Sequence, residues 1–325
     1  MPEGFRQRIV GPVRGARALV GTYHARDGRV AAIELAYDVF GARGRPLVLV
    51  MGIGAQRIFW DVAFCEQLVA AGFQVVRFDH RDTGESTRLD AAVPSPGGVL
   101  ARRLLGGRVP APYTLSDMAS DVVGLADALG WSRVHVVGAS LGGMVGQHLA
   151  IEHPDRIHSL TAIMTTPGAR RFLPKPFALR ALFTPPPNDA RAAGEHAANL
   201  FATIGSTAWH VDRERLSELG SEAFTRGMNP KGFLRQFAAV GASGDRARRL
   251  RGVRVPTLVV HGSRDPMFPL AAGRALARLV PGSTWLPITG MGHDLPSPVW
   301  PTLVAAIARH AERAETRGEP RATDQ

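Results

Sequence analysis

The chain has 325 residues, 45% of them hydrophobic, which is enough for a sizeable core in one large α/β domain or in two domains. No apolar run reaches the roughly 18 residues of a membrane span, and no apolar stretch follows the basic N-terminus. We therefore expect no stable membrane insertion, no signal peptide and a cytoplasmic location. The formal net charge is +11, but the basic residues are scattered rather than clustered, which argues against nucleic-acid binding.

Segments typical of strands and helices alternate through the first half of the chain. Two early segments alternate between apolar and polar residues, as in antiparallel edge strands, whereas later ones are apolar throughout, as in a central parallel sheet. The predicted strands are 19–23, 30–37, 47–51, 75–78, 134–137 and 157–164. The predicted helices are 61–71 and 114–129. Residues 90–112 are rich in glycine and proline and are predicted to be a loop.

This alternation breaks over residues 168–250, where prolines separate helical pieces rich in phenylalanine and leucine. It then resumes, and strands that alternate with helices predict a mostly parallel sheet with helices on both faces. The later predicted elements are strand 257–261, helix 270–279, strand 283–286 and a helix that begins at Ser297-Pro298. The predicted organisation is a basic arm (1–17), a first core segment (18–167), a helical cap (168–250), a second core segment (251–313) and a disordered tail (314–325).

The most informative segment is Val-His-Val-Val-Gly-Ala-Ser-Leu-Gly-Gly at residues 134–143. A short apolar run enters a Gly-x-Ser-x-Gly turn, and an amphipathic segment follows, so the pattern predicts a strand, a sharp turn and a helix. In such a nucleophile elbow Ser140 lies at the apex in a strained conformation, and Gly138 and Gly142 leave room for the turn. A serine hydroxyl is a weak nucleophile alone, so a base and an oxyanion site are expected elsewhere in the chain.

Two late loops provide candidates for the base and its orienting acid. His293 follows a predicted strand in Thr289-Gly-Met-Gly-His-Asp-Leu-Pro, where the glycines let the loop bring an imidazole close to other backbone. His261 is an alternative base, although core contacts could satisfy it. Asp265 lies in a loop at the carboxyl end of a predicted parallel strand, where sites form in such sheets. The chain order Ser140, Asp265, His293 is the order expected for an α/β-hydrolase.

An oxyanion site needs two backbone donors. One is predicted at the N–H of Leu141, directly after the serine. The other is predicted at Ile53, in the Met51-Gly-Ile-Gly segment, because a glycine before Ile53 lets its N–H turn inward. The residues predicted to contact substrate are Gly52, Gly54, His80, Phe177 and Phe183.

His80 has an alternative interpretation, because it lies in the Asp79-His-Arg-Asp segment after a predicted strand. Its role there could be that of a structural turn residue, with Asp79, Arg81 and Asp82 holding the turn and His80 making no contact with a ligand.

Four segments resemble the α/β-hydrolase superfamily, in particular the actinobacterial aclacinomycin methylesterase group and related mycobacterial lipases and esterases. They are Met51-Gly-Ile-Gly, Arg77-Phe-Asp-His-Arg-Asp-Thr-Gly-Glu-Ser-Thr, Val136-Val-Gly-Ala-Ser-Leu-Gly and Gly290-Met-Gly-His-Asp-Leu-Pro. The resemblance implies an α/β-hydrolase fold with a mostly parallel eight-stranded sheet and a helical cap over an acyl pocket. It also implies a triad of Ser140, Asp265 and His293 with oxyanion donors at Ile53 and Leu141.

These residues predict a serine hydrolase that cleaves small to medium apolar carboxylic esters through an acyl-enzyme, with methyl esters among the candidates. A thioesterase or C–C hydrolase would use the same triad, and a non-catalytic binding protein of the same fold is the competing class. The expected partner is a small-molecule ester, and the expected state is a monomer or homodimer. No metal or cofactor is expected. The one cysteine, Cys65, suggests nothing about metal binding, and its apolar neighbours predict that it is buried in a helix.

Overall fold

The computed structural model describes residues 12–25 and 28–318. Its strands form one sheet in the order β1-β2-β4-β3-β5-β6-β7-β8. The strands are β1 (Val13–His24), β2 (Val30–Phe40), β3 (Arg45–Val50), β4 (Phe73–Phe78), β5 (Val134–Ala139), β6 (Ile157–Ile163), β7 (Thr257–Gly262) and β8 (Thr284–Ile288). β2 pairs antiparallel with β1 and β4, and every other neighbouring pair is parallel. The predicted mostly parallel, eight-stranded sheet is confirmed.

The helices follow the strands in the alternation that the sequence indicates. They are α1 (Val62–Ala70), α2 (Pro96–Leu105), α3 (Leu115–Ala128), α4 (Leu141–Glu152), α5 (Pro176–Leu182), α6 (Ala190–Ile204), α7 (Arg213–Gly227), α8 (Pro230–Ser243), α9 (Ala247–Leu250), α10 (Leu270–Leu279) and α11 (Trp300–Gly318). Short 3₁₀ turns occupy Arg57–Phe59, Pro154–Arg156 and Ser297–Val299, so α11 begins three residues after the predicted Ser297-Pro298 start.

The central strands divide the core into two layers because their side chains alternate between the two faces of the sheet. In β3, Val48 and Val50 pack with α3 and α4, whereas Leu47 and Leu49 pack with α1 and α11 on the opposite face. Cys65 of α1 belongs to the second layer, and burial raises the pKa of its thiol to about 12. The prediction of a buried helix cysteine is confirmed.

The predicted N-terminal arm and C-terminal tail both extend too far into the ordered part of the chain. Residues 13–17, expected in the basic arm, belong to β1 and pair with β2. Residues 314–318, expected in the disordered tail, lie within α11. In both cases pairing or packing against the core extends an element into polar sequence. The remainder of the predicted arm and tail, residues 1–11 and 319–325, lies outside the described residues.

The 90–112 segment, predicted to be a loop, contains helix α2. Ser95 caps its start by accepting a hydrogen bond from the backbone N–H of Gly98, Pro96 follows in the first turn, and Gly106 ends the helix with a left-handed φ of 79°. A serine and a proline at the start with a glycine at the end are helix-boundary signals. The overall content of glycine and proline in the segment obscured them.

Helices α5 to α9 all lie between β6 and β7, in a range that the structure describes throughout and that we call the helical insertion (residues 168–250). Two ion pairs, of which the first is buried, join it to the core. Arg235 of α8 donates to both carboxylate oxygens of Asp82, at 2.7 and 2.8 Å, and Arg226 of α7 donates to Glu85 at 2.5 Å. Asp82 and Glu85 belong to the loop after β4, so a segment that carries the family resemblance holds the helical insertion against the sheet.

Candidate active site

Ser140 lies at the sharp turn between β5 and α4, with φ 53° and ψ −114°. A Cβ added at Gly138 would lie 2.3 Å from the carbonyl oxygen of Gly142, and one added at Gly142 would lie 1.9 Å from that of Val50. Both positions therefore require glycine. The Thr165 hydroxyl donates a hydrogen bond of 2.8 Å to the Ser140 carbonyl oxygen and helps hold the turn. The predicted strand, turn and helix are present with the serine at the apex.

The structure brings Ser140, His293 and Asp265 together in one chain of hydrogen bonds. The Ser140 Oγ lies 3.0 Å from His293 Nε2, and His293 Nδ1 lies 2.9 Å from Asp265 Oδ2. The other carboxylate oxygen, Oδ1, accepts the backbone N–H groups of Met267 and Phe268 at 2.8 and 2.9 Å. The three residues follow β5, β7 and β8, so the carboxyl ends of parallel strands gather them at one edge of the sheet.

His261, the alternative base, lies behind Asp265 rather than beside Ser140. Its side chain is fully buried, and its Nε2 lies 3.4 Å from Asp265 Oδ2 and donates to the Phe268 carbonyl oxygen at 3.0 Å. Burial lowers the pKa of this imidazole, which is therefore neutral near pH 7. Its Nδ1 is buried without a hydrogen-bond partner among the described residues, and its Nε2 contacts lie on the side of Asp265 and Phe268 rather than of the serine hydroxyl.

The loop that carries His293 is fixed by the end of α6, a contact that the sequence did not predict. The backbone N–H of His293 donates to the carbonyl oxygen of Ile204 at 2.8 Å. The Ser206 hydroxyl accepts the N–H of Gly292 at 3.0 Å and donates to Asp294 Oδ1 at 2.5 Å. The helical insertion thus contributes to the position of the imidazole, and Asp294 is engaged with Ser206.

The Met51-Gly-Ile-Gly loop after β3 passes directly beside the serine. A Cβ added at Gly52 would lie 4.0 Å from Ser140 Oγ. Leu141 is the first residue of α4, so no carbonyl one turn earlier accepts its N–H. Gly54 differs from its neighbours because its N–H donates to Gln236 Oε1 of α8 at 2.8 Å. Gly52 therefore lies beside the serine, Ile53 follows it in the same loop, and Gly54 anchors the loop through Gln236.

A cavity of about 390 Å³ opens onto Ser140 and His293. Gly52, Ile53 and Gly54 line it from the core, and α6, α8 and the segment after α5 line it from the helical insertion. Phe183, one of the predicted substrate contacts, lies in this wall. Its ring packs edge-on against Phe233 and Phe237 of α8, with centroid separations of 5.5 and 4.9 Å.

Two of the predicted substrate contacts lie outside the cavity lining. Phe177 projects from α5 toward solvent and is half exposed. His80 is buried, its Nε2 donates to the Met51 carbonyl oxygen at 3.0 Å, and burial lowers its pKa to about 4. The structure thus places neither Phe177 nor His80, two of the predicted substrate contacts, in the lining of the cavity. His80 instead supports the backbone that leads into the Met51-Gly-Ile-Gly loop.

Residues 45–296 match the α/β hydrolase fold family, and since this is more than half of the chain, the protein belongs to that family. Rhodomycin D methylesterase of Streptomyces peucetius is 29% identical to it, over 83% of this chain and 91% of the relative. A protein of Caulobacter sp. strain K31 with the provisional name carbamate hydrolase is 29% identical, over 73% of this chain and 80% of the relative.

Among solved structures, a thermophilic esterase from Thermogutta terrifontis superposes with a TM-score of 0.66 at 23% identity, over 92% of this chain and 99% of that one. A likeness at this identity shows the shared fold. The predicted α/β-hydrolase fold and the predicted resemblance to the methylesterase group are confirmed, and the chain is a hydrolase of this family.

Two further features are absent from the described residues. Among them, no group of three or more histidine, cysteine, aspartate or glutamate side chains is placed to hold a metal ion. In the same part of the chain, no helix is both long and apolar enough to cross a membrane.

Proposed function

We propose that the protein is a serine carboxylic-ester hydrolase with Ser140 as nucleophile, His293 as general base and acid, and Asp265 as the orienting carboxylate. The observation that carries the proposal is the unbroken chain of hydrogen bonds from Ser140 Oγ through His293 to Asp265, beside a cavity that Ser140 and His293 help to line. The curated relative named a methylesterase supports an ester as the substrate.

The proposed reaction begins when Ser140 Oγ attacks the acyl carbon while its proton passes to His293 Nε2. Asp265 holds Nδ1–H and stabilises the imidazolium that forms. The N–H groups of Ile53 and Leu141 bind the oxyanion of the tetrahedral intermediate. Collapse releases the alcohol, which takes the proton from His293. Water then attacks the acyl-enzyme with the same help from His293, and the carboxylic acid is released.

The cavity suits small to medium apolar esters. Its volume of about 390 Å³ and its wall of phenylalanine, leucine, methionine and alanine side chains would bury a hydrocarbon acyl chain or alcohol. The methylesterase relative makes methyl esters a natural first test. A thioester would fit the same chemistry, so acetyl and hexanoyl thioesters belong in the same substrate panel.

A fluorophosphonate probe tests the proposal, because it labels only an activated serine. We expect wild-type labelling at Ser140 and none in Ser140→Ala, together with a loss of ester turnover by several orders of magnitude. His293→Ala and Ser140→Ala should each lower ester turnover about as much as the double variant does, because the residues act as a unit. Ser120→Ala, which removes an exposed hydroxyl on α3, is the matched control. Wild-type turnover in a folded Ser140→Ala protein would refute the proposal.

A further inference from the structure

One face of α6 lines the cavity. The residues on it recur at the three- and four-residue spacing of a helix face and are Ala193, His196, Ala197, Leu200, Phe201 and Ile204. All of them except His196 are apolar. The side chain of His196 is partly buried, so its imidazole is available to hydrogen-bond a ligand in the cavity.

His196 also differs from every other polar side chain that lines the cavity in the described part of the chain. Ser140 and His293 bond to each other. The remaining ones have protein partners and are Gln56, Asp82, Thr83, Thr184 and Asn229. The imidazole of His196 makes no hydrogen bond, ion pair or ring contact within the described residues.

Helix α6 is held at both ends and so fixes the position of His196 in the cavity wall. Its start is capped by Asp189, whose side chain accepts the N–H of Ala192 at 2.7 Å. Its last residue, Ile204, accepts the backbone N–H of His293 at 2.8 Å. Burial lowers the pKa of His196, so the ring is neutral near pH 7 and presents one N–H donor and one nitrogen acceptor.

We propose that His196 is a specificity-determining residue that hydrogen-bonds a keto or hydroxyl oxygen of the substrate, remote from the scissile carbonyl. The inference rests on the proposed ester hydrolysis and narrows its substrate class. The preferred ester has an apolar skeleton that fills the cavity and carries one oxygen function opposite α6. A site that pairs a buried polar group with substrate discriminates against the analogue that lacks the partner, because the protein group is then left unpaired.

The test compares matched esters on wild-type protein and on His196→Leu. One series is p-nitrophenyl octanoate and its analogues with a keto group on the fifth, sixth or seventh carbon, and the other is octyl acetate with the same keto positions in the alcohol. We expect His196→Leu to lower kcat/KM for at least one keto ester, relative to its plain parent, by about tenfold. His196→Gln, which keeps a donor and an acceptor, should retain much of the preference.

Thr203→Val, on the exposed side of α6, is the matched control and should leave every ratio unchanged. The assignment is overturned if the ratio of keto to plain ester is the same in wild type and His196→Leu across both series. If Ser140 is labelled by the phosphonate and plain octanoate is cleaved, that result refutes only the role of His196. If the wild-type protein is neither labelled nor active on any ester, both the role of His196 and the proposed function are refuted.

Discussion

Gln236 of α8 accepts the backbone N–H of Gly54 through its Oε1 at 2.8 Å, across 182 positions of sequence. Its Nε2 donates to the Arg81 carbonyl oxygen at 3.0 Å and to Thr83 Oγ1 at 2.8 Å, so one fully buried amide joins the loops after β3 and β4. The helical insertion is thus bonded to the loop that carries the proposed oxyanion donor Ile53, and it also covers the cavity.

Replacing Gln236 with leucine should lower kcat for p-nitrophenyl hexanoate by about tenfold or more, with little change in KM. The loop would lose the bond that holds it, and a small misplacement of an oxyanion donor weakens the transition state more than the bound ester. Steady-state kinetics and thermal unfolding of the same preparation measure both effects. Arg215→Ala, which breaks the ion pair between α7 and Asp61, is the control and should leave kcat unchanged. A rise in KM alone would contradict this role of Gln236.

The effects of substituting Asp82 and Arg235, a buried ion pair, on the unfolding free energy should be strongly coupled. Their side chains are 0% and 3% exposed, and Asp82 also accepts the Tyr113 hydroxyl at 3.0 Å. Arg235→Met leaves an uncompensated buried carboxylate and should cost about 3–5 kcal/mol of unfolding free energy. Adding Asp82→Asn to that variant should recover part of the loss. Urea unfolding of both single variants and the double variant measures the coupling, and strictly additive losses would argue against it.

Phe183 and Phe177 form a matched pair for testing substrate specificity, since one lines the cavity and the other faces solvent. For wild type, kcat/KM of p-nitrophenyl esters should rise with each methylene, by up to about fourfold, until the cavity is full. Phe183→Ser should flatten this rise, whereas Phe177→Ser should not. Equal effects of the two substitutions would show that the cavity wall at Phe183 does not bind the acyl chain.

Burial of His80 should make the fold sensitive to mild acid. Its pKa is lowered from 6.5 to about 4. Between these pH values His80 is therefore protonated in the unfolded chain and neutral in the folded chain. The unfolding free energy is therefore highest above about pH 6.5 and falls as the pH drops toward 4. When the pH is lowered from 8 to 5, the unfolding free energy of His80→Gln should fall by about 2 kcal/mol less than that of the wild type. Urea titrations at both pH values give this difference directly, and identical losses in the two proteins would rule the effect out.

Local sequence patterns predicted the fold because each depends on neighbours along the chain. The apolar run before Gly138 and the helical periodicity after Ser140 define the strand and helix that hold the elbow. The positions of Asp265 and His293 after predicted strands were enough to expect them at the same edge of a parallel sheet. Their catalytic roles remain predictions, although the structure places the side chains within hydrogen-bonding distance of one another.

The features that the sequence did not predict depend on contacts between distant segments. Gln236 and His196 lie on ordinary amphipathic helices, and nothing near them in sequence indicates which face meets the Met51-Gly-Ile-Gly loop or the cavity. Phe177 shows the converse, because a phenylalanine in an apolar helix looks like a wall residue until the helix is placed. The sequence predicts His80 as a substrate contact, but its ring packs edge-on against Phe78 and bonds to the Met51 carbonyl oxygen.

The left-handed φ of Ser140 has a consequence for attempts to make the protein more thermostable. A non-glycine residue held in such a conformation costs about 1–3 kcal/mol, whereas glycine adopts it freely. Ser140→Gly should therefore melt at a higher temperature than Ser140→Ala, although neither can form an acyl-enzyme. Natural or laboratory selection that rewards heat resistance alone would favour glycine at this position and would erase the proposed nucleophile. Libraries built on this scaffold should be screened for turnover and stability together.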